Sequence, residues 1–326
     1  MKVLVTGGSG FLGSYVAEQL SKDGHEVVAL VRKSSNKKFL AALPNVTFAY
    51  GSVEDAEAVD AAADGVEAIV HSAGLVKART PAEFEVVNVD GTKNLLAAAK
   101  KRGIRRFVYV SSLTAVGPSQ DGKPVPADRV CNPVTHYGRS KLKAEKAVLA
   151  AKDELHVTVI RPPMIYGPRD NETFTFFQMV SGRVLPFLGD GRNTLSIVYG
   201  ADAASACVRA LFADVPSGRC YFVEDGHVYV WRDMLAELER VLERRALLRF
   251  SIPFFVLRGA AVATESWGKV RKKAVMLTRD KVNELAAPHW VCDAQTTRDE
   301  LGWTPQVDWA RGARLAAAWY RAEGWL

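Results

Sequence analysis

The chain contains few cysteines and no cluster of residues with metal-ligand spacing. Its four cysteines are scattered over 326 residues without a C-x-x-C pair. This pattern argues against a disulfide framework or a zinc site and is typical of a reducing compartment. The six histidines are also spread out. We therefore predict no metal site and a location in the cytoplasm.

Long apolar runs are missing as well. No run reaches the roughly 18 residues that a membrane span needs, and the first predicted strand begins at residue 2, which leaves no room for a signal peptide. The net charge is +7, but no basic stretch is interleaved with aromatic residues, so we predict no nucleic-acid partner. The basic clusters are typical of solvated helix ends and faces.

A glycine-rich turn follows the first predicted strand. Residues 2–6 form a short apolar run, and Gly7-Gly8-Ser9-Gly10-Phe11-Leu12-Gly13 leads from it into a helical pattern. Glycine lets the backbone turn tightly and lets a pyrophosphate approach, while the free N–H groups and positive end of the helix face the anion. Because strand, turn and helix begin a β-α-β unit, we predict a dinucleotide site here rather than an ordinary turn.

Residues 1–165 alternate short apolar runs with helical patterns, which is typical of a parallel sheet covered on both faces. Right-handed crossovers then give a doubly wound, Rossmann-type α/β domain with its ligand along the carboxyl ends of the strands. The predicted strands are 3–6, 26–31, 46–50, 68–71, 106–111 and 157–161, and the predicted helices are 11–23, 35–43, 54–63, 88–102 and 135–152.

The pattern changes after residue 165. A proline-rich stretch, an aromatic cluster and a glycine-rich loop precede a mostly helical pattern from residue 231 onward. We predict a smaller, mostly helical substrate-binding domain over residues 166–326. It is partly interleaved with the first domain, because segments near 195–223 are expected to return to the sheet.

Two cations follow the second predicted strand. In nucleotide-binding sheets an acid that ends this strand binds both ribose hydroxyls and repels a 2′-phosphate. Here that position is Val31, followed by Arg32 and Lys33, and two cations favour a phosphate. The sequence therefore predicts NADP(H), with NAD(H) as the alternative if both cations merely end a strand in solvent.

Small residues after the third and fourth predicted strands complete this cleft. Ser52 and Val53 are expected near the adenine, and Ser72, Ala73 and Gly74 allow close approach of the ribose and pyrophosphate. Each group could instead be a short tight turn.

Tyr137 and Lys141 are spaced i and i+4, so they share one face of a predicted helix. The fifth predicted strand delivers Ser111 and Ser112 to the same edge of the sheet. A phenol titrates near about 10, so tyrosine alone is a poor base. A nearby ammonium and a positive nicotinamide ring would lower that pKa, and a serine hydroxyl would orient a substrate oxygen.

Together these residues resemble the short-chain dehydrogenase/reductase superfamily in its extended branch, as do Asn-Val-Asp-Gly-Thr at 88–92 and Leu-Gly-Trp-Thr-Pro at 301–305. The resemblance implies that Tyr137 is the catalytic acid/base, Lys141 its electrostatic partner and Ser112 the catalytic serine, with Ser111 as the alternative. It also implies that the cofactor is contacted by the backbone of Phe11 and Leu12 and by Ser111, Tyr137, Lys141, Pro162, Pro163 and Met164.

Members of this branch act either on nucleotide sugars or on hydrophobic alcohols and ketones. Met164 and Leu195 stand where nucleotide-sugar enzymes carry an asparagine and an arginine for the diphosphate, although Arg169 or Arg192 could substitute. A buried diphosphate without a cation is costly. We therefore expect an NAD(P)-dependent oxidoreductase for a secondary alcohol or ketone of a sterol-, polyketide- or polycyclic-like molecule. A nucleotide-sugar epimerase or dehydratase with a recycled cofactor is the first alternative, and a non-catalytic nicotinamide-binding sensor is the second.

Two apolar stretches could line such a substrate pocket, although ordinary core is the simpler interpretation of each. They are the cluster Phe174-Phe176-Phe177 and the run Ile252–Leu257. The second run, with Arg258 and the basic segment Lys269–Lys273, also allows weak contact with a membrane surface. The resemblance implies a homodimer through the helices at 88–102 and 135–152, with a monomer as the alternative.

Overall fold

The computed structural model describes residues 1–271, 275 and 277–326, apart from the side chain of Lys269. A π-helical segment, Glu85–Asp90, joins the third and fourth helices. The strands and helices up to the sixth strand are β1 Lys2–Thr6, α1 Phe11–Lys22, β2 Glu26–Val31, β3 Val46–Tyr50, α2 Ala56–Ala62, β4 Ala68–His71, α3 Pro81–Phe84, α4 Gly91–Arg102, β5 Arg106–Val110, α5 Leu113–Val116, α6 His136–Ala150 and β6 His156–Arg161.

The rest of the described chain contains shorter strands and more helix. Its elements are β7 Met164–Tyr166, α7 Phe174–Ser181, β8 Val184–Leu188, β9 Thr194–Leu195, β10 Ile197–Tyr199, α8 Gly200–Phe212, β11 Arg219–Phe222, β12 Tyr229–Val230, α9 Trp231–Leu242, β13 Leu248–Ile252, α10 Phe254–Arg271, α11 Arg279–Ala286, β14 His289–Trp290, α12 Gln295–Leu301 and α13 Trp309–Ala322.

Seven parallel strands form the central sheet, in the order β11-β6-β5-β4-β1-β2-β3. The chain runs outward from β1 to β2 and β3, then crosses to β4 on the other side of β1. The connections therefore diverge between β1 and β4, which opens a crevice at the carboxyl ends of these strands. The predicted doubly wound α/β sheet is confirmed.

Side chains of alternate residues in each strand enter two separate cores. Val3 and Val5 pack with α1 and α8 on one face of the sheet. Leu4 and Ile69 pack with α2, α4 and α6 on the other. All four side chains are fully buried, and burial of each stabilises the fold by about 1.5–3 kcal/mol. The two cores hold the carboxyl ends of the strands in fixed register.

One predicted helix, 35–43, is wrong, because residues 33–42 form turns. Polar side chains there take the hydrogen bonds that a helix would use: Ser35 Oγ accepts from the N–H of Arg32, and Asn36 Oδ1 accepts from the N–H of Lys38. Serine and asparagine compete with helix formation in this way. The other four predicted helices and the six strands agree with the structure to within three residues.

A further core lies outside the sheet. Tyr166 of β7 and Tyr320 of α13 are fully buried there among α7, α9 and α13. Trp303, from the late Leu-Gly-Trp-Thr-Pro stretch, packs instead against α8, where its indole N–H donates to Ser205 Oγ at 2.8 Å. The proposed division of the chain at residue 165 stays a prediction. Among the described residues no helix is long and apolar enough to cross a membrane.

Candidate active site

One large cavity, of about 2130 Å³, follows the carboxyl ends of the sheet strands and continues into the second half of the chain. We call the part lined by the loops after β1 to β5 the sheet half. The part lined by Phe84, Arg139 and the lining residues between 170 and 290 is the distal half. Tyr137 and Lys141 lie where the two halves meet.

The glycine-rich turn shapes one end of the sheet half. Gly7 has a φ of +70°, and a Cβ there would lie 2.8 Å from the backbone nitrogen of Ala73. A Cβ at Gly13 would overlap the carbonyl oxygen of Gly7. Helix α1 begins after Gly10 with no side-chain cap and no acidic residue in its first turn. Its free N–H groups therefore fit the pyrophosphate of a dinucleotide.

The structure brings all but one of the predicted cofactor residues to this cavity. The lining includes Gly7, Ser9, Gly10, Phe11, Leu12, Gly13, Arg32, Ser52, Val53, Ser72, Ala73, Gly74, Ser111, Tyr137, Lys141, Pro162, Pro163 and Met164. Lys33 is exposed and is not part of the lining. The turn that follows β2 brings Ser35 to the cavity beside Arg32, a contribution that sequence reasoning missed.

Helix α6 positions Tyr137 and Lys141 one turn apart. Thr135 caps the helix, its hydroxyl accepting from the N–H of Gly138 at 3.0 Å. The Lys141 ammonium donates to the carbonyl oxygen of Val110 at 2.5 Å and lies 4.4 Å from the centre of the Tyr109 ring. These contacts fix the lysine at the end of β5, between the sheet and the cavity.

Burial dominates the protonation of both residues. It raises the pKa of Tyr137 to about 12, and the Ser112 hydroxyl opposes that rise. It lowers the pKa of Lys141 to about 7, opposed by the charge of Glu145. The expected lowering of this pKa requires a nicotinamide ring beside the ammonium and stays a prediction; in the protein alone the desolvated phenol is harder to ionise. At neutral pH the phenol of Tyr137 is therefore protonated.

The two serines after β5 have different partners. The Ser111 hydroxyl donates to Glu145 Oε2 at 2.6 Å, inside a buried ion pair that Glu145 makes with Arg161. Ser112 Oγ lies next to Tyr137 and accepts from the hydroxyl of Thr114 at 2.8 Å. This arrangement favours Ser112 over Ser111 as the residue that faces a reacting oxygen.

The distal half is mainly apolar. From the two stretches predicted to line a pocket, Phe176, Ile252 and Leu257 do so. Phe174 and Phe177 pack instead against Tyr320, with ring centres 4.7 and 5.0 Å away. Apolar lining residues that sequence reasoning missed are Phe84, Met179, Leu188, Trp231, Val262, Leu277, Leu285 and Trp290.

Helix α11 brings a carboxylate into this half that the sequence did not indicate. Glu284 lines the same cavity as Tyr137, and its charge raises the pKa of the phenol. No spacing along the chain relates residues so far apart. Three cations of the distal half are each paired with a carboxylate: Arg139 with Asp280 at 3.5 Å, Arg279 with Glu265 at 2.9 Å and Lys281 with Glu284 at 2.5 Å.

Neither arginine considered as a diphosphate ligand reaches the cavity. The Arg169 guanidinium lies 4.2 Å from the centre of the Tyr15 ring and pairs with Glu18. The Arg192 side chain is 80% exposed, beside Asp190. Met164 and Leu195, at the two positions where nucleotide-sugar enzymes carry polar ligands, both line the cavity. Within the described chain no three His, Cys, Asp or Glu side chains form a metal site.

The glycine-rich turn lies at the point where the sheet connections diverge, and a tyrosine and a lysine on one helix face the same cavity. This combination defines an extended short-chain dehydrogenase/reductase. The chain belongs to the NAD dependent epimerase/dehydratase family, whose model matches residues 3–223. The predicted superfamily is confirmed, and so is the prediction that the chain is an enzyme.

Relatives over the full length include two reductases. The chain is 31% identical to a ceramide reductase of Caulobacter vibrioides, over 99% of this chain and 96% of that protein. It is 30% identical to a 2-alkyl-3-oxoalkanoate reductase of Stenotrophomonas maltophilia, over 98% and 99%. A solved dTDP-glucose 4,6-dehydratase of Streptomyces venezuelae with NAD bound is 26% identical with a TM-score of 0.82, covering 100% of this chain and 98% of that one.

Proposed function

We propose that the protein is an NADP(H)-dependent reductase of a ketone on a large hydrophobic molecule, and that its substrate occupies the distal half. The observation that carries this proposal is the apolar lining directly beside Tyr137. Large apolar cavities with a few convergent polar groups are typical of sites for hydrophobic ligands. The two full-length reductase relatives, named for a ceramide and a 2-alkyl-3-oxoalkanoate, support a substrate with long alkyl chains.

The pairing of most cations around the distal half, among the residues that the structure describes, further supports a hydrophobic substrate. Burial of a diphosphate requires paired positive charge. Arg139, Arg279 and Lys281 are already paired with carboxylates, and Arg169 and Arg192 lie outside the lining. A nucleotide-sugar substrate would have to break these pairs or bind Arg258, which also lines the cavity.

The proposed chemistry uses three side chains. The bound cofactor supplies a hydride to the carbonyl carbon. Ser112 donates a hydrogen bond to the carbonyl oxygen, and Tyr137 transfers its phenolic proton to that oxygen as negative charge develops on it, so the product is a secondary alcohol. Lys141 in its ammonium form stabilises the tyrosinate that remains until a solvent proton restores the phenol.

NADP(H) is proposed over NAD(H) because of the residues beyond β2. Arg32 and Ser35 line the cavity together, and Arg32 follows Val31, where no acid repels a 2′-phosphate. A guanidinium and a hydroxyl are suitable donors to a phosphate. Of the two cations considered from the sequence, only Arg32 is proposed as a phosphate ligand, because Lys33 is not part of the lining.

The proposed location is the cytoplasm, and the proposed assembly is a homodimer through α4 and α6. Light scattering of the eluting protein in size-exclusion chromatography measures the assembly. A mass of one chain would contradict the dimer.

The function is tested by following nicotinamide absorbance with NADPH and with NADH against steroid ketones, long-chain 3-oxoacyl compounds and nucleotide sugars. We expect net oxidation of NADPH with a hydrophobic ketone. Conversion of a nucleotide sugar without net oxidation, detected by chromatography, would overturn the reductase proposal in favour of an epimerase or dehydratase.

A further inference from the structure

We infer that the outer face of α10 docks on an anionic phospholipid membrane and that a membrane-dissolved substrate reaches the distal half beside it. The inference rests on the proposed function for the lipid character of the substrate. We call the surface formed by Phe255, Val256, Gly259, Val262, Ala263, Trp267 and Val270 the α10 face.

The α10 face is an apolar stripe on one side of the helix, interrupted by the exposed Ser266, whose hydroxyl donates to the carbonyl oxygen of Val262. Its residues recur at spacings of three and four, which is the period of one helical face. Phe255, Trp267 and Val270 are 76%, 56% and 82% exposed. On the opposite side of α10, Leu257 and Ala261 are buried against α11. A helix that is apolar on both sides is normally covered on both, and a large exposed apolar patch marks an interaction surface.

The charge around this face indicates what covers it. Residues 243–273 contain eight Lys or Arg and two Glu, so this segment carries most of the net charge of +7. Arg244, Arg245, Arg258 and Arg271 are exposed, and the helical period places Arg258 and Arg271 at opposite edges of the α10 face. The backbone of Lys269 belongs to α10, while Lys272 and Lys273 of the predicted basic segment lie outside the described residues. Each basic residue near an anionic bilayer strengthens binding about fivefold.

The α10 face is continuous with the cavity. Val262 is 49% exposed on the outer face and also lines the cavity, as do Arg258 and Gly268 of the same helix. Helix α10 is therefore one wall of the distal half. An alkyl chain that leaves the bilayer at Val262 would pass directly into the apolar part of the cavity without crossing water.

The same charge argues against a second copy of this chain as the partner. In a symmetric dimer each surface meets its own equivalent. The basic segment would then face another basic segment, and like charges across an interface cost several kcal/mol. A membrane of phosphatidylglycerol offers the opposite charge together with an apolar interior.

The test is flotation of the full-length protein with vesicles of phosphatidylcholine, with and without phosphatidylglycerol. We expect binding only to the anionic vesicles and weaker binding as salt is raised. The triple variant F255S/W267S/V270S should bind at least about tenfold more weakly, because it removes the apolar part of the contact. The control V130S/F212S removes exposed apolar side chains elsewhere, at 86% and 40% exposure, and should bind like the wild type.

Two results would overturn the inference. One is failure of the wild type to float with anionic vesicles. The other is a wild-type dimer that the triple variant converts to monomer, which would assign the α10 face to a second copy. R258E/R271E provides an independent check in the flotation assay, because it leaves the apolar face intact, reverses the two charges at its edges and should lose most of the binding.

Activity separates this inference from the proposed function. The triple variant should reduce a short, water-soluble ketone at the wild-type rate and a vesicle-embedded ketone at least about tenfold more slowly. If the protein floats with anionic vesicles but converts only nucleotide sugars, the reductase proposal and the substrate route are rejected and the docking surface stands. Reduction of the vesicle-embedded ketone at equal rates by the wild type and the triple variant would reject the docking surface and leave the reductase.

Discussion

The hydroxyl of Ser111 donates a 2.6 Å hydrogen bond to the carboxylate of Glu145, one helical turn beyond Lys141 on α6. Glu145 is 1% exposed and is also bound by Arg161. A buried carboxylate needs every available donor, since an unsatisfied one costs more than the hydrogen bond itself gains. Ser111 therefore supports the wall of the site, and Ser112 is left to face Tyr137.

Substitution of the two serines should separate these roles. S112A should lower kcat about 10²- to 10³-fold, because it removes a donor to the developing oxyanion. It should also lower the free energy of unfolding by about 0.5–2 kcal/mol, because the Ser112 hydroxyl caps α5. S111A should change kcat much less and lower the free energy of unfolding by about 1–3 kcal/mol. Steady-state kinetics and urea unfolding of both variants measure this. A larger kcat loss for S111A would exchange the assignments.

Replacement of Tyr137 by phenylalanine removes the proposed proton donor and little else. We expect Y137F to lose turnover while it binds NADPH with near wild-type affinity, because the proposed cofactor contacts of the glycine-rich turn remain. Titration of protein fluorescence with NADPH measures binding, and nicotinamide absorbance measures turnover. Undiminished turnover would remove Tyr137 from the mechanism.

Arg32 and Lys33 form a matched pair for testing cofactor choice. R32A should weaken NADPH binding about 10- to 100-fold, the value of a lost charge-assisted hydrogen bond, and leave NADH binding nearly unchanged. K33A should have a small effect, since Lys33 is not part of the cavity lining. Dissociation constants for both cofactors measure the difference. Tighter binding of NADH than NADPH by the wild type would refute the NADP(H) proposal.

The buried lysine makes stability depend on pH in a definite direction. Burial lowers the pKa of Lys141 to about 7, while in the unfolded chain it is about 10.4. Below about pH 7 the Lys141 side chain stays charged in the folded protein, and its desolvation lowers the free energy of unfolding by the full amount. Between about pH 7 and 10 the unfolded chain binds more protons than the folded one, so this cost falls as pH rises.

K141M should therefore stabilise the protein while it abolishes activity. We expect the free energy of unfolding to rise by about 2–4 kcal/mol near pH 6 and by clearly less near pH 9. Urea unfolding at both pH values measures this. K143M is the matched control, because Lys143 is 58% exposed on the same helix and its replacement should show no such pH dependence. An equal gain for K141M at both pH values would contradict the assigned cause.

The sheet half could be predicted from sequence because its signals are local. A strand, a glycine-rich turn and a helix follow one another within residues 2–22, and Tyr137 and Lys141 share a helix face by spacing alone. The helix expected at 35–43 failed because Ser35 and Asn36 bond the backbone there. Whether such a residue caps, turns or joins a helix depends on a few hydrogen bonds that a pattern does not specify.

The distal half was largely beyond prediction because its contacts join distant parts of the chain. Glu284 enters the lining of the cavity from α11, and Phe176 lines the cavity while its neighbour Phe177 packs in a core. The pKa of Tyr137 is expected to fall beside an ammonium and a nicotinamide ring, whereas the desolvation that raises this pKa in the protein alone is a property of the folded chain.

The placement of the tryptophans gives the molecule its own optical probes. Trp231 and Trp290 line the cavity, whereas Trp303 and Trp309 are buried away from it at 2% and 3% exposure. Indole emission responds to the polarity around the ring and overlaps the absorption of reduced nicotinamide. A ligand that displaces water from the distal half should therefore shift the emission of the first pair to shorter wavelength, and bound reduced cofactor should quench it. Ligand binding in the distal half and cofactor binding in the sheet half can therefore be followed separately, before any turnover.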